Sequence, residues 1–471
     1  MNSQAAHPAH QPPQPQLNAE QQAAVDLMLS GANVFLTGGG GTGKSTIIHS
    51  FRHASTRKVV IVAPTGAAAS QIGGTTIHRT FQLISRIFLP NYEPHLSQET
   101  LDMLNEIDTL IIDEVSMVRA DIFHAIDLTL RHATENHDLP FGGKQVIVVG
   151  DMLQLPPVAR DEDAEILQDC YGGVFCFNSP AWHAGRFHPV ILKQVHRQAD
   201  PVFIGLLNAI RTGGWDPMLG IDNWQADWVD SVNKLNRLIK ITGMGVPEES
   251  IVLCARNITA KAINLQWDRQ LNQPIQVYQA TTSGAVDFSE LQVEPILSVR
   301  LGSRVIMLAN KTTEDQGGFD YTNGDQGAII LLEENAIVVR LDKGREVRVA
   351  RQLWECKKTI YDRERQTIRD EVVGRCWQIP AKLGYAISTH KSQGMSLDRV
   401  HLHLDKPAFA AGMLYVALSR CRSLQGLSMS RPIFYEDVIR NPEVDEFYSS
   451  LRDPLRAGFE ASDDCGEEDI K

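Results

Sequence analysis

Long apolar runs, paired cysteines and an amino-terminal basic stretch are missing from this chain of 471 residues. No run of 18 apolar residues occurs, which argues against a membrane-spanning helix and a membrane partner. None of the seven cysteines forms a Cys-x-x-Cys pair, which argues against a zinc site and suits a reducing cytosol. Residues 1–16 hold no Lys or Arg, whereas a secretory signal or a transit peptide would contain such basic residues. We therefore expect a disordered tail at 1–16 and a cytoplasmic protein, nucleoid-associated if bacterial.

Positive charge is also scarce, and this bears on the choice of partner. The net charge is −12, and the six acidic residues and one lysine at 460–471 leave about −7 on the remainder. A surface that attracts nucleic acid through its overall charge is therefore not expected. A nucleic-acid site on this chain has to be a local groove, in which base stacking and backbone donors supply part of the binding.

What the chain does have is a glycine-rich segment at 38–46, Gly-Gly-Gly-Gly-Thr-Gly-Lys-Ser-Thr. It follows the apolar run 34–36 and precedes a helix-compatible run, which is the context that a phosphate-binding loop requires. In such a loop, backbone N–H groups and a helix amino terminus surround phosphate oxygens, and the lysine reaches the terminal phosphates. The sequence therefore predicts nucleotide binding through Gly38, Gly43, Lys44 and Ser45, with the Ser45 hydroxyl on Mg²⁺.

Short β-branched runs alternate with helical stretches from Leu17 to about Val195. The runs at 33–37, 59–63, 109–112 and 146–149 predict a parallel, doubly wound α/β sheet, with a site at the carboxyl ends of its strands. From 301 to 378 the apolar period becomes two and Asn323-Gly324 is a strong hairpin signal, so we expect a small β-rich module. After Pro380, a strand at 399–404 and a helix at 412–421 indicate that α/β patterning returns.

These patterns predict a division of the chain into domains. A second α/β domain is split by the β-rich module, and an insertion with two prolines and apparently exposed aromatic residues interrupts the first domain. For that insertion a plain surface loop is as good an interpretation as a functional element. The predicted bounds are 17–195 for the first domain, 81–100 for its insertion, 196–300 and 379–459 for the second domain, 301–378 for the β-rich module and 460–471 for an acidic tail.

Acidic and amide side chains follow the predicted strands at their carboxyl ends. Asp113 can help to hold Mg²⁺, and the adjacent Glu114 can position and deprotonate a water. Gln154 comes just after the fourth strand, where an amide can contact a γ-phosphate. Gln21 lies about one helix before the glycine-rich loop, and its amide matches the N7 and N6 edge of adenine, which would select ATP.

Later segments supply cations and possible nucleic-acid contacts. Arg197 and Arg420 lie outside the first α/β domain, and a guanidinium from a second domain stabilises transition-state charge and couples hydrolysis to domain closure. The segments 63–69 and 75–78 follow the second strand and offer backbone N–H groups and hydroxyls to a polyanion. The segment 389–394 offers His, Lys and Ser in one turn, which suits phosphate and sugar contacts.

In this order and spacing, the segments from Leu17 to about Leu427 resemble superfamily-one helicases of the B (5′ to 3′) type, and more narrowly the Pif (petite integration frequency) DNA helicases. The narrower resemblance rests on Asp113-Glu-Val-Ser-Met-Val-Arg-Ala-Asp-Ile-Phe-His-Ala-Ile-Asp127. Further support comes from the segments 195–198, 323–325, 390–395 and 415–420. RecD-like and Dda-like helicases share several of these segments but not the stretch at 113–127, and they rank second.

The resemblance implies two RecA-like motor domains, a strand-separating wedge at 81–100 and a small barrel in the β-rich module. It implies ATP and Mg²⁺ as cofactors, and single-stranded DNA with forked or 5′-tailed duplex as partners of a monomeric enzyme. For ATP binding and hydrolysis it implies Gln21, Gly38, Gly39, Gly40, Gly41, Thr42, Gly43, Lys44, Ser45, Thr46, Asp113, Glu114, Gln154, Arg197, Gly394 and Arg420, with Ser45 and Asp113 on Mg²⁺. For the path of the single strand it implies Pro64, Thr65, Gly66, Thr75, His78, Asn323, His390, Lys391 and Ser392.

Two other classes of function stay open from the residues themselves. A nucleic-acid-responsive ATPase switch, which remodels without unwinding, would share every ATPase motif and differ in the wedge. A metabolite kinase would use the same phosphate loop but would need an acceptor site in place of Asp113, Glu114 and Gln154. ATP hydrolysis that does not depend on DNA would favour the kinase.

Overall fold

The computed structural model describes residues 17–451 except positions 85, 214–223, 244, 248–249, 289–290, 292, 313–318, 363–366, 405–407 and 409. The tails predicted at 1–16 and 460–471 lie outside these residues. Within the described ranges, no helix is both long enough and apolar enough to span a bilayer.

The first sheet is parallel and buried. Its strands are β1 Val34–Gly38, β2 Val59–Ala63, β3 Thr75–Thr76, β4 Thr109–Ile112, β5 Gln145–Val149 and β6 His188–Leu192. They lie in the order β3-β2-β4-β5-β1-β6, and every pairing is parallel. The inner strands are continuous apolar runs because helices cover both faces of the sheet. The four strands predicted from β-branched runs are confirmed to within one residue.

Helices pack on both faces of this sheet. They are α1 Ala19–Leu29, α2 Lys44–Ala54, α3 Gly66–Gln71, α4 Ile77–Thr80, α5 Gln98–Glu106, α6 Ala120–Ala133, α7 Asp161–Tyr171 and α8 Pro180–Gly185. Val34 and Leu36 of β1 share a core with α1 and α2. Phe35, between them in sequence, shares the opposite core with α5, α6 and α8. This alternation confirms the doubly wound arrangement.

After β6 the chain begins a second α/β unit. Its first elements are α9 Pro201–Thr212, α10 Trp224–Leu238, β7 Lys240–Ile241, β8 Ile251–Cys254 and α11 Asn257–Gln270. The sheet that β7 and β8 belong to is completed only by strands that follow the β-rich region.

The β-rich region consists of antiparallel strands. They are β9 Gln276–Gln279, β10 Thr281–Gly284, β11 Ile296–Val299, β12 Arg304–Met307, β13 Lys311–Thr312, β14 Phe319–Tyr321, β15 Gln326–Leu332, β16 Ala336–Leu341, β17 Glu346–Ala350, β18 Gln352–Asp362, β19 Thr367–Gln378 and β20 Ala381–Leu383. These strands extend beyond the predicted 301–378 at both ends. The predicted start at residue 301 was wrong because β10, whose sequence Thr-Thr-Ser-Gly has little apolar pattern, pairs with the distant β19.

The hairpin expected at Asn323-Gly324 is not formed. A turn is present, with Gly324 at φ +92° and the Asp325 N–H donating to the Thr322 carbonyl. The strands on either side, however, pair elsewhere: β14 pairs with β13, and β15 pairs with β12 and β16. The turn therefore carries the chain from one sheet to another.

The second parallel sheet is completed by β21 Ala386–Ser388, β22 Val400–His403 and β23 Leu427–Met429, with α12 Met413–Ser419 between the last two. Its order is β21-β8-β22-β23-β7, and all of its pairings are parallel. The strand and helix predicted after Pro380 are confirmed with slightly shorter bounds. The predicted α/β class with two parallel sheets is thereby confirmed.

The last helix, α13 Pro442–Ser450, returns to the first sheet. Val444 and Tyr448 are buried in the core that contains Phe35. The Phe447 ring stacks on Phe177 with centroids 4.3 Å apart. The assignment of all of 379–459 to the second domain was therefore wrong for this helix, because its apolar face finds its partners some 270 residues earlier in the chain.

Candidate active site

The glycine-rich loop joins β1 to α2. Positive φ angles at Gly38 (+149°), Gly41 (+84°) and Gly43 (+89°) turn the backbone so that α2 begins at Lys44, with its first N–H groups directed toward the loop. The Lys44 Nζ donates to the carbonyl oxygens of Gly38 at 2.8 Å and Gly39 at 3.1 Å. Burial lowers the pKa of Lys44, while neighbouring carboxylates oppose that shift. The loop thus has the geometry of a phosphate site.

A cleft of about 430 Å³ adjoins this loop, a volume within the usual range for small-molecule sites. Both α/β units contribute to its walls. Of the predicted residues it brings together Gly40, Gly41, Gly43, Lys44, Ser45, Thr46, Asp113, Glu114, Gln154, Arg197, Gly394 and Arg420. It adds residues that were not predicted to bind nucleotide: Ala68, Gln71, His196, Ser396 and Arg422.

Two carboxyl groups follow β4 inside the cleft. The Glu114 N–H donates to Asp113 Oδ1 at 2.9 Å, and Glu114 itself has a left-handed backbone with φ +49°. Burial and the charge of Glu114 raise the pKa of Asp113 to about 7. The Gln393 amide donates to Glu114 Oε2 at 3.1 Å, so the second α/β unit contacts this carboxylate directly.

The donors around the loop fit a magnesium ion. The Ser45 hydroxyl and the Asp113 carboxylate line the same cleft, and both are oxygen ligands of the type that Mg²⁺ prefers. Burial disfavours the ionised form of Asp113, and a bound cation would reverse that effect. Mg²⁺ usually keeps several waters and substrate oxygens, so two protein ligands are sufficient.

Two arginines face the loop from the other side of the cleft. Arg197 donates to the Ser419 carbonyl at 3.3 Å, and Arg420 donates to the Val416 carbonyl at 2.9 Å. Neither forms an ion pair with a carboxylate of the described residues. Burial lowers the pKa of both, and the charge of Arg197 lowers that of Arg420 further, to about 9. Both guanidinium groups lie 3.5 Å from where a Cβ on Gly40 would be.

Gln154 lies in the loop after β5, next to a buried ion pair that the sequence did not reveal. Its amide is 3.3 Å from Asp151 Oδ2. Asp151 accepts from Arg211 through both oxygens, at 2.8 and 2.9 Å. The position of Asp151, just after a strand, could have singled it out. Nothing in the spacing points to Arg211, which comes from α9.

Gln21 lies behind the phosphate loop, and it is not among the residues that line the cleft. Its Oε1 accepts from the Asn18 N–H at 3.1 Å in a capping box that begins α1. Its Nε2 donates to the Thr42 carbonyl at 3.2 Å. A Cβ on Gly43 would lie 2.4 Å from this nitrogen. The amide therefore supports the loop, and its contact with adenine stays a prediction.

The predicted nucleic-acid residues of the first domain cluster after β2 and β3. Pro64, Thr65 and His78 line a second cavity of about 250 Å³. The Thr65 hydroxyl accepts from the Ala68 N–H at 3.2 Å, just before the start of α3. Burial and nearby Arg119 lower the pKa of His78. Gly66 is the first residue of α3, and Thr75 shares a 2.6 Å hydroxyl contact with Thr80.

The remaining nucleic-acid residues lie on the second unit and on the β-rich region. His390, Lys391 and Ser392 form a 3-10 helix after β21. The Ser392 hydroxyl is buried and donates to the Thr389 carbonyl at 2.7 Å, so it is directed inward. Asn323 lies in the turn between β14 and β15. Gly394 follows the 3-10 helix, and a Cβ on it would lie 2.1 Å from Gln71 of α3. The segment at 390–394 therefore lies against the first domain.

The insertion after α4 does not expose its aromatic residues as expected. Phe88 is only 2% exposed, and the Tyr92 ring packs edge-on against it at 4.8 Å. The Arg86 guanidinium lies over both rings. Leu89 is half exposed, so the exposed apolar side chain of the insertion is aliphatic and not aromatic as the sequence suggested. Exposure was misjudged because the partners of these rings are distant in sequence.

The stretch at 113–127 anchors this insertion. Asp121 Oδ2 accepts from the Phe88 N–H at 3.0 Å and from Arg119, which also donates to the Arg86 carbonyl. His124 contacts the Pro90 carbonyl at 3.2 Å. The residues that carry the narrower family resemblance are therefore the ones that hold the insertion in place.

Comparison with known proteins agrees with this geometry. A family model described as PIF1-like helicase matches residues 16–214. The ATP-dependent DNA helicase PIF1 of Mus musculus is 33% identical over 473 residues, covering 96% of this chain and 65% of that protein. The ATP-dependent DNA helicase Pif1 of Bdellovibrio bacteriovorus is 31% identical over 448 residues, covering 93% of this chain and 92% of that protein. The chain thus spans just under two thirds of the mouse relative and most of the bacterial one.

Solved structures extend the likeness to the fold. Pif1 from Bacteroides sp in complex with ADP-AlF4 has a TM-score of 0.82 at 33% identity, covering 94% of this chain and 98% of that one. Bacteroides Pif1 bound to ssDNA has a TM-score of 0.67 at 34% identity, with the same coverage.

Proposed function

Because the chain belongs to the PIF1-like helicase family, we propose that it is an ATP-dependent DNA helicase that moves 5′ to 3′ along single-stranded DNA and separates the duplex ahead of it. One observation carries the proposal. The cleft places the phosphate loop and the acids of the first sheet opposite two arginines, Arg197 and Arg420, that lack carboxylate partners within the described residues. Such a site can turn a change in phosphate charge into a change in domain position.

ATP is the nucleotide that we assign to the cleft, in accord with the names of the relatives. Gly38 to Thr46 would surround its phosphates with backbone N–H groups, and Lys44 would contact the terminal ones. Ser45 and Asp113 would hold Mg²⁺, which would neutralise charge on the β- and γ-phosphates. Gln21 would contact the adenine edge, and Gly394 would lie at the second-domain side of the cleft.

The positions of the remaining residues support a mechanism of hydrolysis. Glu114 accepts a proton from a water whose oxygen bonds to the γ-phosphorus, while the bond from that phosphorus to the β–γ bridging oxygen breaks. Gln154 contacts the γ-phosphate, and Arg197 and Arg420 neutralise the charge that spreads over its oxygens. The products are ADP and phosphate, and their release lets the two α/β units separate. Repeated closure and opening would move one unit along the strand relative to the other.

The DNA partners that we propose are single-stranded DNA and forked or 5′-tailed duplex. Solved relatives described as bound to ssDNA and as unwinding forked dsDNA support this choice. The single-stranded DNA would contact the residues after β2 and β3 and the 3-10 helix His390–Ser392. With a net charge of −12, we expect this contact surface to be a local one. We propose that the protein is a monomer in solution and that it is cytoplasmic.

The insertion anchored by the stretch at 113–127 would act as the wedge. The residues on either side of its half-exposed Leu89 are held by hydrogen bonds to α6, one buried and one partly buried, which would make it rigid enough to meet a base pair. We also propose that the two α/β units are separate motor domains, that α13 belongs to the first, and that the β-rich region is an insertion in the second.

The test combines ATP hydrolysis with unwinding. The wild-type protein should hydrolyse ATP much faster with single-stranded DNA than without it, and should open a forked duplex only with ATP. Lys44→Ala should bind the same DNA and do neither. ATP hydrolysis that is equally fast without DNA would favour a kinase, and DNA-stimulated hydrolysis without unwinding would favour a remodelling switch.

A further inference from the structure

The phosphate loop holds more glycine than its motif needs. Only the first and sixth positions of the motif are fixed as glycine, yet Gly39, Gly40 and Gly41 fill three of the four variable positions. Of these three, only Gly41 has a φ in the left-handed region. Backbone conformation therefore does not explain Gly39 and Gly40, and at Gly39 a close approach from outside the loop does.

The approaching groups come from elements outside the first domain. A Cβ on Gly39 would lie 3.2 Å from the Tyr415 hydroxyl, and one on Gly40 would lie 3.4 Å from it. A Cβ on Gly41 would lie 2.5 Å from the Cβ of Arg197. The three glycines thus form a surface without side chains against which α12 and the segment after β6 are seated.

Tyr415 makes the most specific of these contacts. Its hydroxyl accepts a hydrogen bond from the Gly40 N–H at 2.7 Å. The side chain is 3% exposed, and burial raises its pKa, so the hydroxyl stays neutral at any physiological pH. A backbone donor of the phosphate loop is therefore satisfied by a residue that lies 375 positions later in the chain.

A buried ion pair lies near this tyrosine. Arg211 binds Asp151 through two hydrogen bonds, and the charges of both residues act on Tyr415. Arg211 also lies 3.9 Å from the Cβ position of Gly39. Asp151 is in the loop that carries Gln154, so the same cluster joins the phosphate loop to the segment that would contact the γ-phosphate.

The helix that carries Tyr415 is followed directly by Arg420. We propose that Tyr415 is a positioning residue through which the second α/β unit sets the conformation of the phosphate loop. One helix then delivers two groups to Gly40: a hydroxyl that holds the loop backbone and a guanidinium for the transferred phosphate. When α12 moves away, the Gly40 N–H loses its acceptor at the same moment as the cleft loses its arginine. This inference rests on the proposed helicase function and names a residue that couples its two halves.

The test uses Tyr415→Phe, which removes one oxygen and keeps the ring. Tyr278→Phe is the matched control, since it removes a buried hydroxyl of the β-rich region that donates to the Glu333 carbonyl at 2.7 Å. For each protein we would measure thermal stability, ADP affinity, DNA-stimulated kcat, and the factor by which ADP changes the affinity for single-stranded DNA. Coupling factors of this kind are typically about 5- to 150-fold and are reciprocal between the two ligands.

The expected result separates coupling from stability. Tyr415→Phe should bind ADP within about threefold of wild type, lose at least about tenfold in DNA-stimulated kcat and bring the coupling factor close to one. Tyr278→Phe should keep the wild-type kcat and the wild-type coupling factor. A second variant, Gly39→Ala, crowds the Tyr415 hydroxyl without altering it and should change kcat and coupling in the same direction. Its control is Gly205→Ala, where a Cβ meets nothing within 4 Å.

Two outcomes would overturn the inference. One is a Tyr415→Phe protein whose kcat and coupling factor stay within about twofold of wild type. The other is a variant whose ADP affinity and thermal stability fall together while the coupling factor is unchanged, which would make Tyr415 merely structural. If the wild-type protein itself shows no DNA-stimulated hydrolysis, the proposed function fails instead.

Discussion

The nucleotide cleft and the insertion at 81–100, our proposed wedge, both have arginines beside them. The two regions differ in whether these arginines form ion pairs. Arg119, which helps to anchor the insertion at 81–100, is paired with Asp121 at 2.7 Å. In the cleft, the buried Arg420 and the partly buried Arg197 form no ion pair with a carboxylate in the described ranges. A buried unpaired cation is costly, and burial lowers its pKa, unless an anion arrives to compensate. The paired arginine stabilises the structure, whereas we propose that the two unpaired ones bind a phosphate.

The largest effect should come from neutralising an unpaired arginine. Arg420→Gln keeps much of the side-chain length and can still donate to the backbone, but it removes the charge that faces Gly40. We expect DNA-stimulated hydrolysis to fall by about 10³- to 10⁵-fold, as when such an arginine is lost elsewhere. Steady-state ATPase assays measure this, and filter binding should show that affinity for single-stranded DNA is retained. A loss below tenfold would contradict the comparison.

The next effect concerns the acid that faces those arginines. Glu114→Gln keeps the shape of the side chain and a hydrogen bond to Gln393, but it cannot accept a proton from water. Hydrolysis should fall by about 10²- to 10⁴-fold, the usual contribution of a positioned base. Equilibrium titration with a fluorescent ATP analogue should show that nucleotide binding persists. Normal turnover by this variant would refute the role of Glu114.

The paired arginine should behave differently. Asp121→Asn leaves the partly buried Arg119 without its charge partner, which should cost up to about 3–5 kcal/mol, the loss seen when fully buried pairs are broken. Because the pair anchors the wedge, fork unwinding should fall far more than DNA-stimulated hydrolysis.

A control for this prediction lies on the same helix. Asp127 forms a similar buried pair with Arg131, away from the wedge. Asp127→Asn should lower the free energy of unfolding comparably, without changing the ratio of unwinding to hydrolysis. An equal change of that ratio in both variants would show that the anchor is not specific to the wedge.

The smallest effect belongs to the exposed tip. Leu89 is 50% exposed, so Leu89→Ala should alter the free energy of unfolding by about 0.5 kcal/mol or less. It should still slow the opening of a forked duplex, while hydrolysis on single-stranded DNA stays unchanged. Leu139, which is 51% exposed and lies outside the wedge, supplies the control Leu139→Ala. Identical unwinding rates for Leu89→Ala and Leu139→Ala would show that Leu89 has no part in strand separation.

The same contrast explains what the sequence could and could not predict. Strands β1, β2, β4 and β5 were predictable because each is a local run of buried β-branched residues that ends at a motif. The residues that line the cleft next to those strands followed from the same positions. Local patterns suffice where one segment supplies both the strand and the functional side chain.

Features that depend on distant pairing were missed. α13 was assigned to the second domain, since nothing in its own sequence names Phe177 as its partner. Phe88 looked exposed because Asp121 and Tyr171, which fix its backbone, lie 33 and 83 residues away. The Asp151–Arg211 pair escaped notice for the same reason. Burial of such groups is decided by tertiary packing, which local periodicity does not encode.

Directional unwinding tests the central claim most directly. The protein would be given ATP and two duplexes of the same sequence, one with a 5′ single-stranded tail and one with a 3′ tail. The account predicts that the 5′-tailed duplex is opened and that the 3′-tailed duplex stays intact, and that Lys44→Ala opens neither. Preferential opening of the 3′-tailed duplex would contradict it.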